Sequence, residues 1–314
     1  MKCRRMDNTH NRVKVIAVFR MAALWLVLAL ISAPTAAGAD KAPGDEKHKE
    51  GHESYLGDGV LKEGEDTEAE LARAVQNPVA DMISVPFQNN TNFNFGPLKG
   101  TQNVLNIQPV IPVDVTEKWL MVTRTIVPVV SQPAFLPGQD REFGLGDTLF
   151  SAFFSPKDRS LWLGNWLWGA GPAILLPTST QDRLGVGEWG AGPSLVVLTM
   201  RGPWVIGSLF SNVWSFTGDN SVNLFTWQPF VNYNFDHGWY LSSSPVITAN
   251  WKADNSDNTW TVPIGGGVGR VFLLGRQPVN ASLQGFYNVV NPDNIGPDWT
   301  IRFTIQFLFP RGRS

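Results

Sequence analysis

From Trp299 to Phe309 the chain reads Trp-Thr-Ile-Arg-Phe-Thr-Ile-Gln-Phe-Leu-Phe, with every odd position apolar and Thr300, Arg302, Thr304 and Gln306 between them. A period of two describes a strand with one apolar and one polar face. The alternation recurs where Phe225, Trp227, Pro229, Val231, Tyr233 and Phe235 oppose Thr226, Gln228, Phe230, Asn232 and Asn234, and where Val279, Ala281, Leu283, Gly285, Tyr287 and Val289 oppose Asn280, Ser282, Gln284, Phe286, Asn288 and Val290. Twelve such strands are predicted, near residues 83–95, 102–114, 118–130, 143–155, 161–177, 188–200, 203–217, 223–235, 238–252, 258–273, 277–290 and 298–309. Each suffices to cross a hydrocarbon core, which takes about 9–11 tilted residues. The pattern is weakest in the fifth and tenth, where Gly and Trp crowd together.

The connections alternate in kind. Tight ones (Val115 to Glu117, Pro156 to Ser160, Arg201-Gly202, Asp236-His237, Leu274 to Arg276) take turns with longer, polar or Gly-rich ones such as Ser131 to Glu142 and Thr178 to Gly187. Short turns at one end and long loops at the other are the habit of a membrane barrel, with both chain ends on the short-turn side. An open edge in lipid leaves backbone groups unsatisfied, so the twelve strands are expected to close into a ring. A lipid-facing charge near the midplane costs roughly 2–4 kcal/mol. Arg124 and Arg302 are therefore expected to face the lumen, and the same parity puts Gln108, Asp114, Asp147, Gln228, Asn232, Asn250 and Gln284 there. Trp119, Trp162, Trp204, Trp239, Trp251, Trp260 and Trp299 cluster toward strand ends. Indole rings favour the bilayer interface, so these are expected to form a girdle; a sugar- or aromatic-binding stripe is the rival reading.

Ahead of the strands, six basic residues precede eleven apolar ones, Met21 to Ile31, and a small-residue run ending Ala37-Gly38-Ala39. This predicts a signal peptide over 1–39; the apolar run would span only about 16 Å of a roughly 30 Å hydrocarbon core. Residues 40–67 are an acidic leader with too little to bury, expected to be disordered. His48 and His52 in that leader lack a third ligand and a scaffold, so no metal site is expected. Leu71, Val75, Val79 and Met82 share one helical face, predicting a short amphipathic helix over 68–82, bent or ended by Pro78 and serving as a plug in the lumen or a stub on the rim. Beyond residue 39 the chain has 19 basic and 26 acidic residues and no cysteine, since Cys3 is the only one. That argues against nucleic-acid binding and thiol chemistry.

Catalytic groups are equally scarce. The strand region holds one histidine, His237, in a predicted tight turn, without a serine partner for nucleophilic catalysis. Gly265-Gly266-Gly267 lacks the following helix that a phosphate site uses. No enzyme activity, catalytic residue, cofactor or metal is expected.

Two resemblances add to this reading. Trp299 to Phe309 resembles the closing strand of a bacterial outer-membrane barrel, from which residues 310–314 depart as a short tail. Gln76 to Asp81, Ile83 to Asn92, Trp189 to Ser194, Gln228-Pro229-Phe230, Ile247 to Trp251 and Val262 to Gly267 resemble a proteobacterial family of exported barrels named for the MetA pathway of phenol degradation, over about residues 70–310. That resemblance implies an outer-membrane transporter and carries over no catalytic residue. The sequence thus predicts an all-β chain: a transmembrane antiparallel up-and-down β-barrel of about twelve strands over 83–309 with a short N-terminal helix. It would sit in outer-membrane lipid, be inserted by the assembly machinery through its C-terminal strand, and pass small solutes, aromatic or hydrophobic ones among them. The alternatives are a non-conducting structural or surface-interaction barrel and a soluble periplasmic sandwich.

Overall fold

The computed structural model describes residues 65–158, 161, 163–218, 222–293 and 295–310. The expected signal peptide, the leader as far as residue 64, Trp162 and residues 311–314 lie outside the described residues. A helix, α1 (Glu65–Val75), precedes fifteen strand segments. They are β1 (Met82–Phe95), β2 (Gly100–Ile107), β3 (Val110–Asp114), β4 (Trp119–Gln132), β5 (Glu142–Leu145), β6 (Thr148–Pro156), β7 (Leu167–Leu176) and β8 (Gly190–Arg201). Then come β9 (Trp204–Ser215), β10 (Asn223–Asn234), β11 (Trp239–Ser243), β12 (Ile247–Asn250), β13 (Trp260–Leu274), β14 (Gln277–Val290) and β15 (Trp299–Pro310). Three staves are split in two, β2 with β3, β5 with β6 and β11 with β12, so the wall has twelve staves. Each pairs antiparallel with its neighbours in sequence, and β1 pairs with β15 from Met82↔Pro310 to Phe93↔Trp299, closing the ring.

The splits have local causes. Pro109 and Pro245 stand in two of them, and proline has no N–H to give the ladder. The register runs unshifted across those two, with Gln108 N–H donating to Pro86 O at 2.9 Å and Thr125 N–H to Pro109 O at 3.1 Å; between β5 and β6 it shifts by one residue, a bulge at which Gly146 N–H donates to Pro128 O at 2.9 Å.

Burial follows the alternation with the polarity of a barrel in hydrocarbon. On β15 Trp299, Ile301 and Phe303 are 53%, 47% and 47% exposed, whereas Arg302 between them is 8% exposed. Register carries this assignment round the ring, so Asn90 on β1 and Gln284 on β14, the partners of Arg302, also face inward. Trp119, Trp204 and Trp239 open β4, β9 and β11 at the short-turn end; Trp251, Trp260 and Trp299 lie at the long-loop end. All six are on the outward parity.

The helix lies against the inner wall. Leu71, Ala72 and Ala74 are buried with inward Tyr240, Val271 and Leu308 at the short-turn end. It begins and ends earlier than the apolar spacing over 68–82 predicts: Asn77 precedes Pro78, and the residue before a proline avoids helical φ/ψ. Asn77 instead makes a turn, its Oδ1 accepting from Val79 N–H at 3.0 Å. That turn carries Val79 into a second apolar cluster with Leu120, Val122, Phe153, Val196 and Leu198. The turn between β10 and β11 passes close to the helix: Gly238 has φ +72, and a Cβ there would meet Val271 O at 2.2 Å and Glu68 Cβ at 3.2 Å. Only glycine fits both the conformation and the gap.

Candidate functional site: the lumen

From the long-loop end inward, the lumen wall of β15, β1, β2 and β4 carries a ladder of amides. Thr300 Oγ1 donates to Asn92 Oδ1 at 2.7 Å, Asn92 Nδ2 to Gln102 Oε1 at 2.7 Å, and Gln102 Nε2 to Gln132 Oε1 at 2.6 Å. Below it lie the two arginines. Arg124 Nη2 donates to Gln108 Oε1 at 2.6 Å. Arg302 donates from Nε to Asn90 Oδ1 at 2.9 Å and from Nη1 to Ser244 O at 2.8 Å, with its guanidinium 4.7 Å from the Phe286 ring centre. Gln284 is drawn into the same group through Ser242 and Ser244 at 2.9 and 3.0 Å. Nearer the short-turn end Tyr240 Oη donates to Asn280 Oδ1 at 2.7 Å, and beneath that the apolar clusters and α1 fill the mouth.

Towards the short-turn end the lining changes. By register β6 to β9 turn Phe153, Gly169, Val196, Leu198, Val205 and Leu209 inward there, the apolar side chains in one cluster with Leu120 and Val122 of β4, whereas nearer the long-loop end the same strands turn Ser151, Ser194 and Ser211 inward. Gln228 faces inward opposite Leu209 and is half-buried; Asn232, opposite Val205, is buried. Asn250 faces inward at the long-loop mouth, where it and its partner Leu224 are exposed. The upper lumen is therefore open to water on that side.

Two of the acids expected in the lumen have other partners. Asp114 ends β3 at the short-turn rim and is ion-paired with Lys157. Asp147, in the bulge between β5 and β6, accepts backbone N–H groups of Ser179 at 3.2 Å, Gly187 at 3.0 Å and Val186, and so holds the loop between β7 and β8. That loop folds over β5: Leu184 is buried against Gly144 and Gly146, and Arg183 pairs with Glu142 at 2.6 Å. We expect Asp147→Ala to release the loop. Limited trypsin digestion of detergent-folded protein should then cut at Arg183 several-fold faster than in the parent, and an unchanged rate would refute the anchor.

Asn90, Asn92, Gln102, Gln132 and Ser244 escape sequence reasoning, whereas Phe286 lies on the face that its alternation with Gln284 gives it. In β1 the run Gln88-Asn89-Asn90-Thr91-Asn92 is polar on both parities, so no face can be read from it. His237 lies in the turn between β10 and β11 with φ 57, its carbonyl accepting from Arg270 Nε at 3.3 Å. Among the described residues no three of His, Cys, Asp and Glu gather as a metal site.

The chain is similar in structure to the COG4313 outer membrane channel from Pseudomonas putida F1, with a TM-score of 0.55 and 17% identity over 74% of this chain and 96% of that one. The likeness is one of fold. Weaker similarities reach the CymD monoaromatic hydrocarbon channel (TM-score 0.39, 11% identity, 81% of this chain and 94% of that one) and the outer membrane phospholipase A from Escherichia coli (0.40, 11%, 76% and 97%). No family model matches the chain, and no curated protein does.

Proposed function

We propose that the protein is an outer-membrane channel that passes small solutes passively, including aromatic or hydrophobic ones, with its short-turn end in the periplasm. The observation that carries this reading is the lumen itself: a mouth open to water above, a polar lining below it, and a lower mouth closed by apolar strand side chains together with a segment that precedes the barrel. The resemblance to the MetA-pathway family and the name of the Pseudomonas channel support the same reading. Selection would come from lumen width and lining, without covalent chemistry. The two rows of outward tryptophans would lie at the two lipid boundaries, and β15 would be the strand read by the assembly machinery. The dry packing at the lower mouth favours the second reading, a non-conducting barrel with a structural or surface-interaction role.

Proteoliposome swelling separates the two. A channel admits neutral solutes such as arabinose or benzyl alcohol faster than empty liposomes do. Folded, inserted protein that admits none leaves the structural reading.

The latch on the lower mouth is small. Gln76 and Asn234 exchange two amide hydrogen bonds, 2.8 and 3.1 Å, and Glu68 reaches Arg270 at 3.8 Å in a partly exposed pair worth less than about 1 kcal/mol. Asn234→Ala is expected to raise the frequency of open events in a planar bilayer without altering their size. A changed step size with unchanged frequency would contradict the latch.

A further inference from the structure

The strand segments contain only two carboxylates, Asp114 at the short-turn end and Glu142 at the long-loop end, each already ion-paired with Lys157 or Arg183. Between these ends the lumen holds two guanidiniums, Arg124 and Arg302, and no acid on any strand. Neither arginine has an ion pair among the described residues. The two staves that carry them are separated only by β1 and the β2–β3 stave, and both side chains are on the inward parity.

Their hydrogen bonding is incomplete. A guanidinium has five N–H donors. Arg124 uses one nitrogen, toward Gln108, and although enclosed by the barrel it retains accessible surface, so it borders internal space. Arg302 uses Nε and Nη1 and leaves Nη2 without an acceptor among the described residues. On β1, between the two arginines, the inward positions are Pro86, Gln88 and Asn90, all uncharged. Two like charges in a poorly solvated interior are costly unless an anion completes the set. Planar guanidinium forks suit a carboxylate.

We propose that Arg124 and Arg302 together bind the carboxylate of a small organic acid, and make the path through the barrel anion-selective. This rests on the channel reading for its role in transport, but the binding site itself does not require conduction.

The experiment uses full-length protein purified from membranes in detergent, with benzoate as the probe and chloride and inorganic phosphate at equal ionic strength as controls. Benzoate should raise the apparent unfolding temperature of the parent, and calorimetric titration should give roughly ten- to hundredfold weaker binding in Arg124→Gln and in Arg302→Gln, the loss of a charge-assisted hydrogen bond. Arg124→Lys, which keeps the charge and loses the fork, should fall between. Heat-modifiable gel mobility checks that each variant is folded. In a planar bilayer under a salt gradient, the reversal potential of the parent should favour anions, and that preference should vanish in the double variant.

Benzoate binding that is absent in the folded parent, or unchanged in the double variant, overturns the site. Phosphate bound as well as benzoate overturns the assignment to organic acids. A barrel that binds benzoate and never conducts would refute the channel reading and leave the site standing. One that conducts without anion preference or benzoate binding would do the reverse.

Discussion

Ile305→Arg is expected to destabilise the barrel by about 2–4 kcal/mol, the cost of an arginine on the lipid face near the midplane. Thr304→Glu, one residue away, is expected to change stability by less than about 1 kcal/mol, as a substitution into a solvated or paired setting does. Ile305 lies on the outward parity of β15 with Trp299, Ile301 and Phe303, midway along the strand. Thr304 lies on the inward parity beside Arg302, which a new carboxylate would neutralise. Reversible urea unfolding in lipid vesicles, followed by tryptophan fluorescence, measures both. Equal losses for the two variants would mean that the faces of β15 are not divided between lipid and lumen.

Removing residues 65–81, so that the chain begins at Met82, is expected to turn a closed or rarely open barrel into one with long-lived, larger conductance steps. The argument rests on what the segment fills. α1 buries Leu71, Ala72 and Ala74 against Tyr240, Val271 and Leu308, and Val79 packs into the neighbouring apolar cluster, so the docked segment is part of what closes the lower mouth. The wall does not need the segment, because its ladder closes through β1 and β15 without it. At eleven residues α1 is also shorter than the roughly 12–15 that an isolated helix needs to be even marginal in water. Docking and helix formation are therefore coupled, and a displaced plug loses its helix. Single-channel recording of the shortened chain checks this, and steps identical to those of the parent would show that the segment does not govern the path.

The wall was legible because its signal is local. Alternation in β10, β14 and β15 marks both strand and face, and the change from tight turns to long loops gives the count of staves. Where one stave is polar on both parities, as from Gln88 to Asn92, the face follows only from pairing: Asn90 is opposite Arg302, 212 residues away. The lumen candidates divide along the same line. Arg124, Arg302 and Gln284 are mid-strand, where parity decides. Asp114 is the last residue of its segment, so the rim and Lys157 claim it; Asp147 sits in a bulge, where backbone donors 32 to 40 residues away claim it. Ser244, beside Pro245 in the gap between β11 and β12, gives its carbonyl to Arg302, a contact 58 residues apart that no local pattern marks. The helix was legible as apolar spacing, but its end was set by Asn77-Pro78 rather than by the spacing.

The most direct test of the account ties the plug to the wall and asks whether flux stops. The chain beyond Cys3 has no cysteine, so Gln76→Cys with Asn234→Cys in a Cys3→Ser background supplies a unique pair at the site of the amide exchange. A short, reducible bis-methanethiosulfonate linker joins the two thiols, and solute flux into proteoliposomes is read before and after reduction. The account predicts no flux while the link is intact and flux on reduction. Equal flux in both states, or none in either with the protein folded and inserted, would contradict it.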